Sequence, residues 1–287
     1  MPMLCIAGTF NVLTTEPDGD SVRFVPTDPA EWDKVPGIHR VRPNAHGGAQ
    51  LRLDGIDALE THYAPPGGHT LHQPLGLAHH AAADLLAWIG FRDVVRDGEK
   101  VTTVRKDALP GFVLTRTADV HGRCVALLGR GDPPFPSGQQ AMVNVALTRR
   151  TANHRLIKTG VAYPTFYSKL YFDLRDELAK QAVAARKAGK GVYADDLTQR
   201  GVRVEALGTL TDHAVILPKL FRRLVDYLQL NGDDPSLAGF KSYLAQRDDR
   251  LYIIPNAQKT SLDTIVEVDG QTVKLTRPPE ELIFDEQ

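Results

Sequence analysis

The first 130 residues alternate between short apolar runs and clusters of turn-forming residues. In the run 48–56, Leu51 and Leu53 fall on one face of an extended chain and Arg52 falls on the other. This alternation predicts a half-buried strand with Arg52 on its polar side. Further strands are predicted at 5–13, at 21–26 and on both sides of a turn at 119–122. The pattern favours a domain built from short strands.

Helical spacing marks several of the remaining segments. Residues 73–91 place apolar side chains three and four positions apart, with Pro74 suited to the first turn and Gly90 to the end. Further helices are predicted within 142–150, 173–191 and 214–230, the last of them interrupted by Pro218.

The character of the sequence changes near residue 200. Residues 264–276 predict a β-hairpin about Asp269 and Gly270, after a stretch rich in helix and turn signals. We therefore predict a main domain at 1–199 and a small α+β extension of unknown role at 200–287.

Composition and cysteine content limit the class of protein. The chain has 287 residues, of which 42% are hydrophobic and 24% charged, so it can bury a substantial core. Cys5 and Cys124 are too few for a disulfide framework and predict buried thiols in a reducing compartment. No apolar run reaches transmembrane length, and the N-terminus does not resemble a signal peptide. These features predict a cytoplasmic protein with no membrane partner.

The charge is unevenly distributed although the net charge is only −1. Residues 149–190 contain ten Lys or Arg against three Asp or Glu, whereas 263–287 contain two against seven. Such asymmetry fits a basic face for an anionic polymer. It also fits a helix face that is merely solvated, and charge alone leaves both interpretations open.

Two groups of carboxylates suggest a cation site. Asp18 and Asp20 flank Gly19 at a predicted turn, and Asp57 and Glu60 follow the predicted strand at 48–56. Hard oxygen ligands from two turns brought together suit Ca²⁺ or Mg²⁺. An Asp-Gly-Asp tripeptide is also an ordinary turn sequence, so the tripeptide by itself does not decide between a turn and a metal site.

Two arginines could supply the complementary chemistry for a phosphate. A guanidinium group can donate two parallel hydrogen bonds to non-bridging phosphoryl oxygens and stabilise the charge of a transition state. Arg52 is one candidate, and Arg123, directly after the turn residue Gly122, is the second. A single arginine is more often part of a surface ion pair of small energetic value.

Five motifs occur in an order that resembles the staphylococcal nuclease (thermonuclease) family over about residues 4–197. They are DGD at 18–20, RLDGIDALE at 52–60, DVHGRCVALL at 119–128, MVNVALTRR followed by GVAY, and RKAGKGVY at 186–193. The resemblance implies an α+β fold, a five-stranded OB-type β-barrel with about three helices.

The resemblance also implies a catalytic centre. It assigns Ca²⁺ as the cofactor, bound by Asp20, Asp57 and the backbone carbonyl of Ala58. It makes Glu60 the general base that activates the attacking water.

The same resemblance implies that Arg52 and Arg123 bind the scissile phosphate. On the substrate side, residues 162–172 interleave aromatic side chains with Lys169, a composition suited to stacking single-stranded bases. We expect substrate contacts from His121, Tyr163, Tyr167 and Lys169. An alternative for the aromatic residues is that they fill the core.

Four positions depart from the family's pattern. Ser21 stands for a threonine, His121 for a tyrosine and Tyr193 for a tryptophan. Leu59 replaces a proline between Asp57 and Glu60, so the turn that carries Glu60 is less rigidly set. The segments between Asp20 and Arg52 and between Arg150 and Gly160 are also longer than usual.

These observations predict a calcium-dependent endonuclease acting on DNA, RNA or both, with single strands as the expected partner. An OB-fold nucleic-acid-binding protein with attenuated cleavage is the alternative, favoured by the near-neutral charge and by Leu59. A third hypothesis is a protein-interaction scaffold that binds a partner through the helix at 217–228. The retained Arg52, Asp57, Glu60 and Arg123 favour cleavage.

Overall fold

The computed structural model describes residues 2–65 and 67–285. The outer ends of the two predicted domains, Met1 and 286–287, therefore lie outside the described residues. The first eight strands are β1 (Pro2–Asn11), β2 (Ser21–Pro26), β3 (Ala49–Leu53), β4 (Ile56–Ala58), β5 (Val95–Asp97), β6 (Lys100–Thr103), β7 (Ala108–Ala118) and β8 (Cys124–Arg130). The later strands are β9 (Gln139–Met142), β10 (Ala162–Pro164), β11 (Phe166–Tyr167), β12 (Val202–Arg203), β13 (Arg250–Ile253), β14 (Gln258–Ser261), β15 (Val266–Asp269), β16 (Thr272–Leu275) and β17 (Leu282–Phe284).

Seven α-helices accompany these strands in the described part of the chain. They are α1 (Leu75–Ile89), α2 (Val145–Thr148), α3 (Ala152–Thr159), α4 (Phe172–Lys187), α5 (Pro218–Leu230), α6 (Phe240–Arg247) and α7 (Leu262–Ile265). Helix α1 ends at Gly90 as predicted. Helix α5 corrects one expectation, because Pro218 is its first residue and does not interrupt it. A proline fits the first helical position, where its missing N–H would have no partner within the helix.

Five strands close into a β-barrel. The hydrogen-bonded order is β1-β2-β3-β8-β7 and back to β1, and β9 pairs with the first residues of β1. Every pair in the barrel is antiparallel except β3 with β8. Numbered along the chain, the barrel strands run 1-2-3-5-4-1, which is compatible with an OB-like fold. The predicted α+β class with a five-stranded barrel is confirmed.

The residue pattern of β3 explains its place in the barrel. Leu51 and Leu53 are 0% and 1% exposed and point into the core, whereas Arg52 between them is half-buried on the outer side. A strand alternates its side chains between two faces, so burying the leucines necessarily presents Arg52 on the opposite face. The predicted orientation of Arg52 is confirmed.

Helix α3 corresponds to the long segment after Arg150 and is tied to the barrel through Asn153. This buried amide accepts from the N–H of Leu128 and donates to the carbonyls of Asp54 and Ala126. These hydrogen bonds join the helix to backbone groups of β8 and of the turn after β3. The segment is therefore an integral part of the packed structure.

The long segment before Arg52 is also packed against the barrel. A 3₁₀ turn, Pro29–Lys34, places Trp32 edge-on to Phe24 with ring centroids 6.1 Å apart. Further along, the Arg42 N–H donates to the Gly122 carbonyl at 2.9 Å. The loop therefore reaches the β7–β8 turn that precedes Arg123.

A second apolar core lies beside the barrel core. It joins most of the buried apolar residues after 200 to a few from earlier in the chain, namely Leu59, Leu71, Ala78, Tyr163, Ala185, Val192 and Tyr193. Leu59, which is 1% exposed, therefore anchors the segment before Glu60 in the core shared with the C-terminal part. Burial of a leucine side chain contributes about 2 kcal/mol.

Cys5 and Cys124 are both buried and free, as predicted. Burial raises the pKa of both thiols, to about 11 for Cys5 and about 12 for Cys124. Within residues 2–65 and 67–285, none of the helices is both long and apolar enough to cross a membrane.

Candidate active site

The turn at 18–20 places Asp20 against β4. Gly19 is essential to this approach, since a Cβ at that position would lie 2.5 Å from the Ala58 Cβ. The Asp20 carboxylate accepts a hydrogen bond from the Ala58 N–H at 3.1 Å, and its backbone carbonyl accepts from the Leu53 N–H at 2.8 Å. Asp20 is therefore held at the barrel end where β3 leads into β4.

Asp57 lies in β4, and Glu60 follows it within three residues. Asp57 is 1% exposed, whereas Glu60 is half-buried. The Glu60 N–H donates to the fully buried Gln73 side chain at 3.2 Å, and Gln73 donates in turn to the Ile216 carbonyl at 2.9 Å. The segment that carries Glu60 is thus fixed to the C-terminal part by both Leu59 and Gln73.

Arg222 of α5 enters the same cluster and binds both carboxylates. Its two terminal nitrogens donate to the two oxygens of Asp57, at 2.8 and 3.2 Å, and one of them also donates to Glu60. The Arg222 side chain is only 20% exposed. A bidentate arginine–carboxylate pair of this kind combines fixed geometry with a strong, charge-assisted bond.

Arg52 adjoins the cluster through Tyr167. Its guanidinium group donates to the Tyr167 hydroxyl at 3.2 Å and lies 5.0 Å from the centre of the tyrosine ring. Tyr167 is half-buried in β11, so this predicted substrate-side residue lies next to the predicted phosphate-binding arginine.

The electrostatics of the cluster show an excess of negative charge. Burial, followed by the charges of Asp18, Asp57 and Glu60, raises the pKa of Asp20 well above its ordinary value. Burial also raises the pKa of Glu60, and the charge of Arg222 opposes that rise. For both carboxyl groups burial is the largest cause of the raised pKa, and the neighbouring carboxylates add to it.

The pKa of Asp57 is lowered, and the pKa values of Arg52 and Arg222 are raised. Burial alone would raise the pKa of Asp57, but the charge of Arg222 and its hydrogen bonds lower it. Burial opposes the charged form of Arg222, yet Asp57 and Glu60 raise its pKa well above the ordinary value. Burial likewise opposes the charged form of Arg52, and Tyr167 and Asp57 raise its pKa. The two arginines are therefore cations in this site.

The donor chemistry fits a hard divalent cation. Asp20 and Asp57 are close enough for each carboxylate to influence the pKa of the other, and oxygen atoms are the ligands that Ca²⁺ prefers. Across residues 2–65 and 67–285, no group of three His, Cys, Asp or Glu side chains is arranged to hold a metal ion. Glu60 and both oxygens of Asp57 are instead engaged by Arg222. Ala58, the third predicted ligand, donates its N–H to Asp20 and pairs with Ala162 of β10.

Arg123 does not join this cluster in the described hydrogen bonds and ion pairs. Its guanidinium group and its N–H both bind Asp119, at 2.7 and 2.9 Å. His121, in the same turn, is exposed, and its N–H also binds Asp119. Arg123 lies two residues before Val125, which pairs with Arg52 across β3 and β8, so joint binding of a phosphate by the two arginines stays a prediction.

Two further predicted substrate residues have other roles. Tyr163 is 0% exposed, its hydroxyl donates to Asp196 at 2.8 Å, and its ring packs edge-on to Tyr193. This ring fills the core and cannot stack on a base, so the expectation that Tyr163 contacts substrate is wrong. Lys169 is half-buried and donates to the Thr117 hydroxyl at 3.1 Å.

Sequence reasoning missed Arg222. The available signal was the spacing of charged residues on an otherwise apolar helix, since Lys219, Arg222, Arg223 and Asp226 share one face of α5. Lys219 and Asp226 are buried, so that face points inward. Charged residues on an inward face need partners, and their partners lie far away in the sequence.

The carboxylate–arginine cluster at the barrel end is a candidate hydrolytic or anion-binding site on an OB-like scaffold. No protein-family model matches the chain, and a search of curated proteins also finds no match.

Proposed function

We propose that this protein is a phosphodiester hydrolase acting on nucleic acid, as in the thermonuclease family that its motifs resemble. The observation that supports the proposal most is the convergence of Arg52, Asp20, Asp57 and Glu60 at one end of the barrel. These residues come from two separate motifs, Asp20 from the turn at 18–20 and the other three from 52–60. Their meeting supplies water activation, a cation site and a phosphate-binding group in one place.

In this proposal each side chain has a separate role. Glu60 accepts a proton from the attacking water, and Arg52 donates to the non-bridging oxygens of the phosphate. Asp20 and Asp57 hold Ca²⁺, which when bound supplies Lewis-acid stabilisation of the phosphoryl group. Tyr167 orients the Arg52 guanidinium through its hydroxyl.

A row of aromatic and cationic side chains supports a single-stranded substrate. Three arginines lie over three aromatic rings of the segment 167–172, with ring-centre distances of 3.9 to 5.5 Å. The pairs are Arg52 with Tyr167, Arg116 with Tyr171, and Arg175 with Phe172. Phe172 is 68% exposed, so one face of a large ring is open to a base. Aromatic rings for bases and cations for phosphates are the usual combination in single-strand binding.

Four of the ten Lys and Arg side chains in the basic segment 149–190 form described ion pairs with acids. The pairs are Arg149 with Glu177, Arg155 with Asp84, Lys180 with Asp176, and Arg186 with Glu280. The aromatic row near Arg52 is therefore a better candidate for the nucleic-acid contact than the charge of this segment.

A nucleic-acid-binding protein with attenuated cleavage is the second candidate. The contact of Arg222 with Glu60 favours it, because a carboxylate that already accepts from a guanidinium group is a weaker base.

The test is cleavage of a labelled single-stranded DNA and a matching RNA in millimolar Ca²⁺, with excess chelator as the comparison. We expect cleavage that depends on Ca²⁺. Saturable binding of both strands with no cleavage under either condition would support the second candidate instead.

A further inference from the structure

We propose that Arg222 is an internal cation that competes with Ca²⁺ for Asp57, so that the C-terminal part of the chain controls metal loading. This inference rests on the proposed function only in taking Asp20 and Asp57 as the cation ligands. It assigns control of metal binding to the segment after residue 200, to which the sequence motifs assign no role.

The geometry of Asp57 carries the first step. Both of its carboxylate oxygens accept from Arg222, at 2.8 and 3.2 Å, and the side chain is 2% exposed. A metal ion would need at least one of these oxygens as an inner ligand. Ca²⁺ bound to Asp57 would therefore share one carboxylate with the Arg222 guanidinium group, and the two positive charges would repel each other.

The charge balance carries the second step. Asp18, Asp20, Asp57 and Glu60 influence one another, and Arg222 supplies one positive charge where Ca²⁺ would supply two. Arg222 binds Asp57 and Glu60, whereas the Asp20 carboxylate accepts from the Ala58 N–H, so one arginine faces several carboxylates. The remaining negative charge favours a divalent cation over the single charge of the arginine.

The anchoring of α5 explains why Arg222 stays in place without the metal. Neighbouring charges on the same helix face are bound elsewhere: Lys219 and Arg223 both pair with Asp249, while Asp226 accepts from the Tyr63 hydroxyl at 2.8 Å. The helix is thus fixed independently of Asp57. Displacement of Arg222 requires a change of its long side chain, whereas the helix backbone can stay where it is.

The experiment measures Ca²⁺ binding to the full chain by isothermal titration calorimetry at constant ionic strength, with Ca²⁺ alone as the probe. We expect Arg222→Gln to bind Ca²⁺ more tightly than the unmodified protein, by about tenfold or more, because a competing charge is removed from Asp57. Arg222→Lys keeps the charge but loses the planar fork, so we expect a smaller gain from it. This second variant also preserves the test if Arg222→Gln fails to fold.

Two controls separate competition from a general loosening of the helix. Arg247→Gln removes an exposed charge from α6, and Arg223→Gln breaks the anchoring of α5 without touching Asp57. Both are expected to retain the affinity of the unmodified protein. Unchanged or weaker Ca²⁺ binding by both Arg222 variants, or an equal gain from Arg223→Gln, would overturn the proposal. Cleavage of nucleic acid is measured separately, so the proposed function can fail while this result stands.

Discussion

The guanidinium group of Arg222 holds both oxygens of Asp57 although the two residues are 165 positions apart in the chain. This contact joins α5 to β4, and with it the C-terminal part of the chain to the barrel end that carries the candidate site. It makes Arg222 as much a part of the site as the residues of the sequence motifs.

Replacing Asp57 with Asn should destabilise the fold. The change leaves Arg222 largely buried with only Glu60 as a charged partner, and breaking a buried pair from one side costs about 3–5 kcal/mol. Urea unfolding measures the free energy of unfolding directly. Asp84→Asn, which breaks the more exposed pair with Arg155, is the control and should cost less than about 1 kcal/mol. Equal losses in the two variants would contradict the account.

The pH dependence of stability should include a contribution from Asp249. Burial opposes ionisation, but the hydrogen bond from Arg223 and the charge of Lys219 lower the pKa of Asp249 from 3.8 to about 2. A lowered folded-state pKa stabilises the fold above pH 3.8, and this stabilisation is lost as the pH falls towards 2.

The expected contribution is about 2 kcal/mol at neutral pH. It is measured by urea unfolding at a series of pH values between 6 and about 2. Asp249→Asn should flatten the profile below pH 4. An unchanged slope in that variant would show that Asp249 contributes nothing to acid unfolding.

Arg52→Lys and Arg123→Lys should differ in their effect on cleavage. A lysine at 52 cannot donate two parallel bonds to a phosphate, so we expect a fall in turnover of about 100-fold or more. The Arg123 guanidinium group is paired with Asp119, and its substitution should cost less. Single-turnover cleavage rates give the comparison. A larger loss from Arg123→Lys would place that residue in the working site and show that it leaves Asp119 when substrate binds.

Phe172→Ala should weaken the binding of single-stranded nucleic acid. Loss of one stacking ring costs about 1–3 kcal/mol per base, which is measurable by fluorescence anisotropy with a labelled oligonucleotide. Leu230→Ala is a suitable control because that side chain is similarly exposed, at 73%, on α5. Equal affinities of the two variants would remove Phe172 from the interface.

The individual strands of the barrel could be predicted because their signals are local, whereas the closed five-stranded barrel was implied by the resemblance of the motifs. Alternation places Leu51, Leu53 and Arg52 on their faces without any knowledge of partners, and the turns are marked by glycine and proline. The motifs likewise brought Asp20, Asp57 and Glu60 to one place. These parts of the account depend on spacing within short segments.

The remainder of the site depends on long-range pairing, which spacing does not encode. Arg222 looked like one polar residue of an amphipathic helix, and only the packing of α5 on β4 reveals its partners. Arg123 has the position that its motif predicts, but its guanidinium group binds the nearby carboxylate of Asp119. Leu59, expected to loosen the turn before Glu60, is buried in the core shared with the C-terminal part. In each case a competing contact decided the outcome.

The most direct test of the account is the single-turnover cleavage rate of Glu60→Gln beside the unmodified protein, with a labelled single-stranded DNA in millimolar Ca²⁺. Glu205→Gln, a change at an exposed glutamate, serves as the matched control. The account predicts a rate lowered about 100- to 10,000-fold with nucleic-acid affinity retained, because glutamine cannot accept the proton of the attacking water. Calcium-dependent cleavage at the unmodified rate in Glu60→Gln would contradict the assignment of Glu60 as the general base.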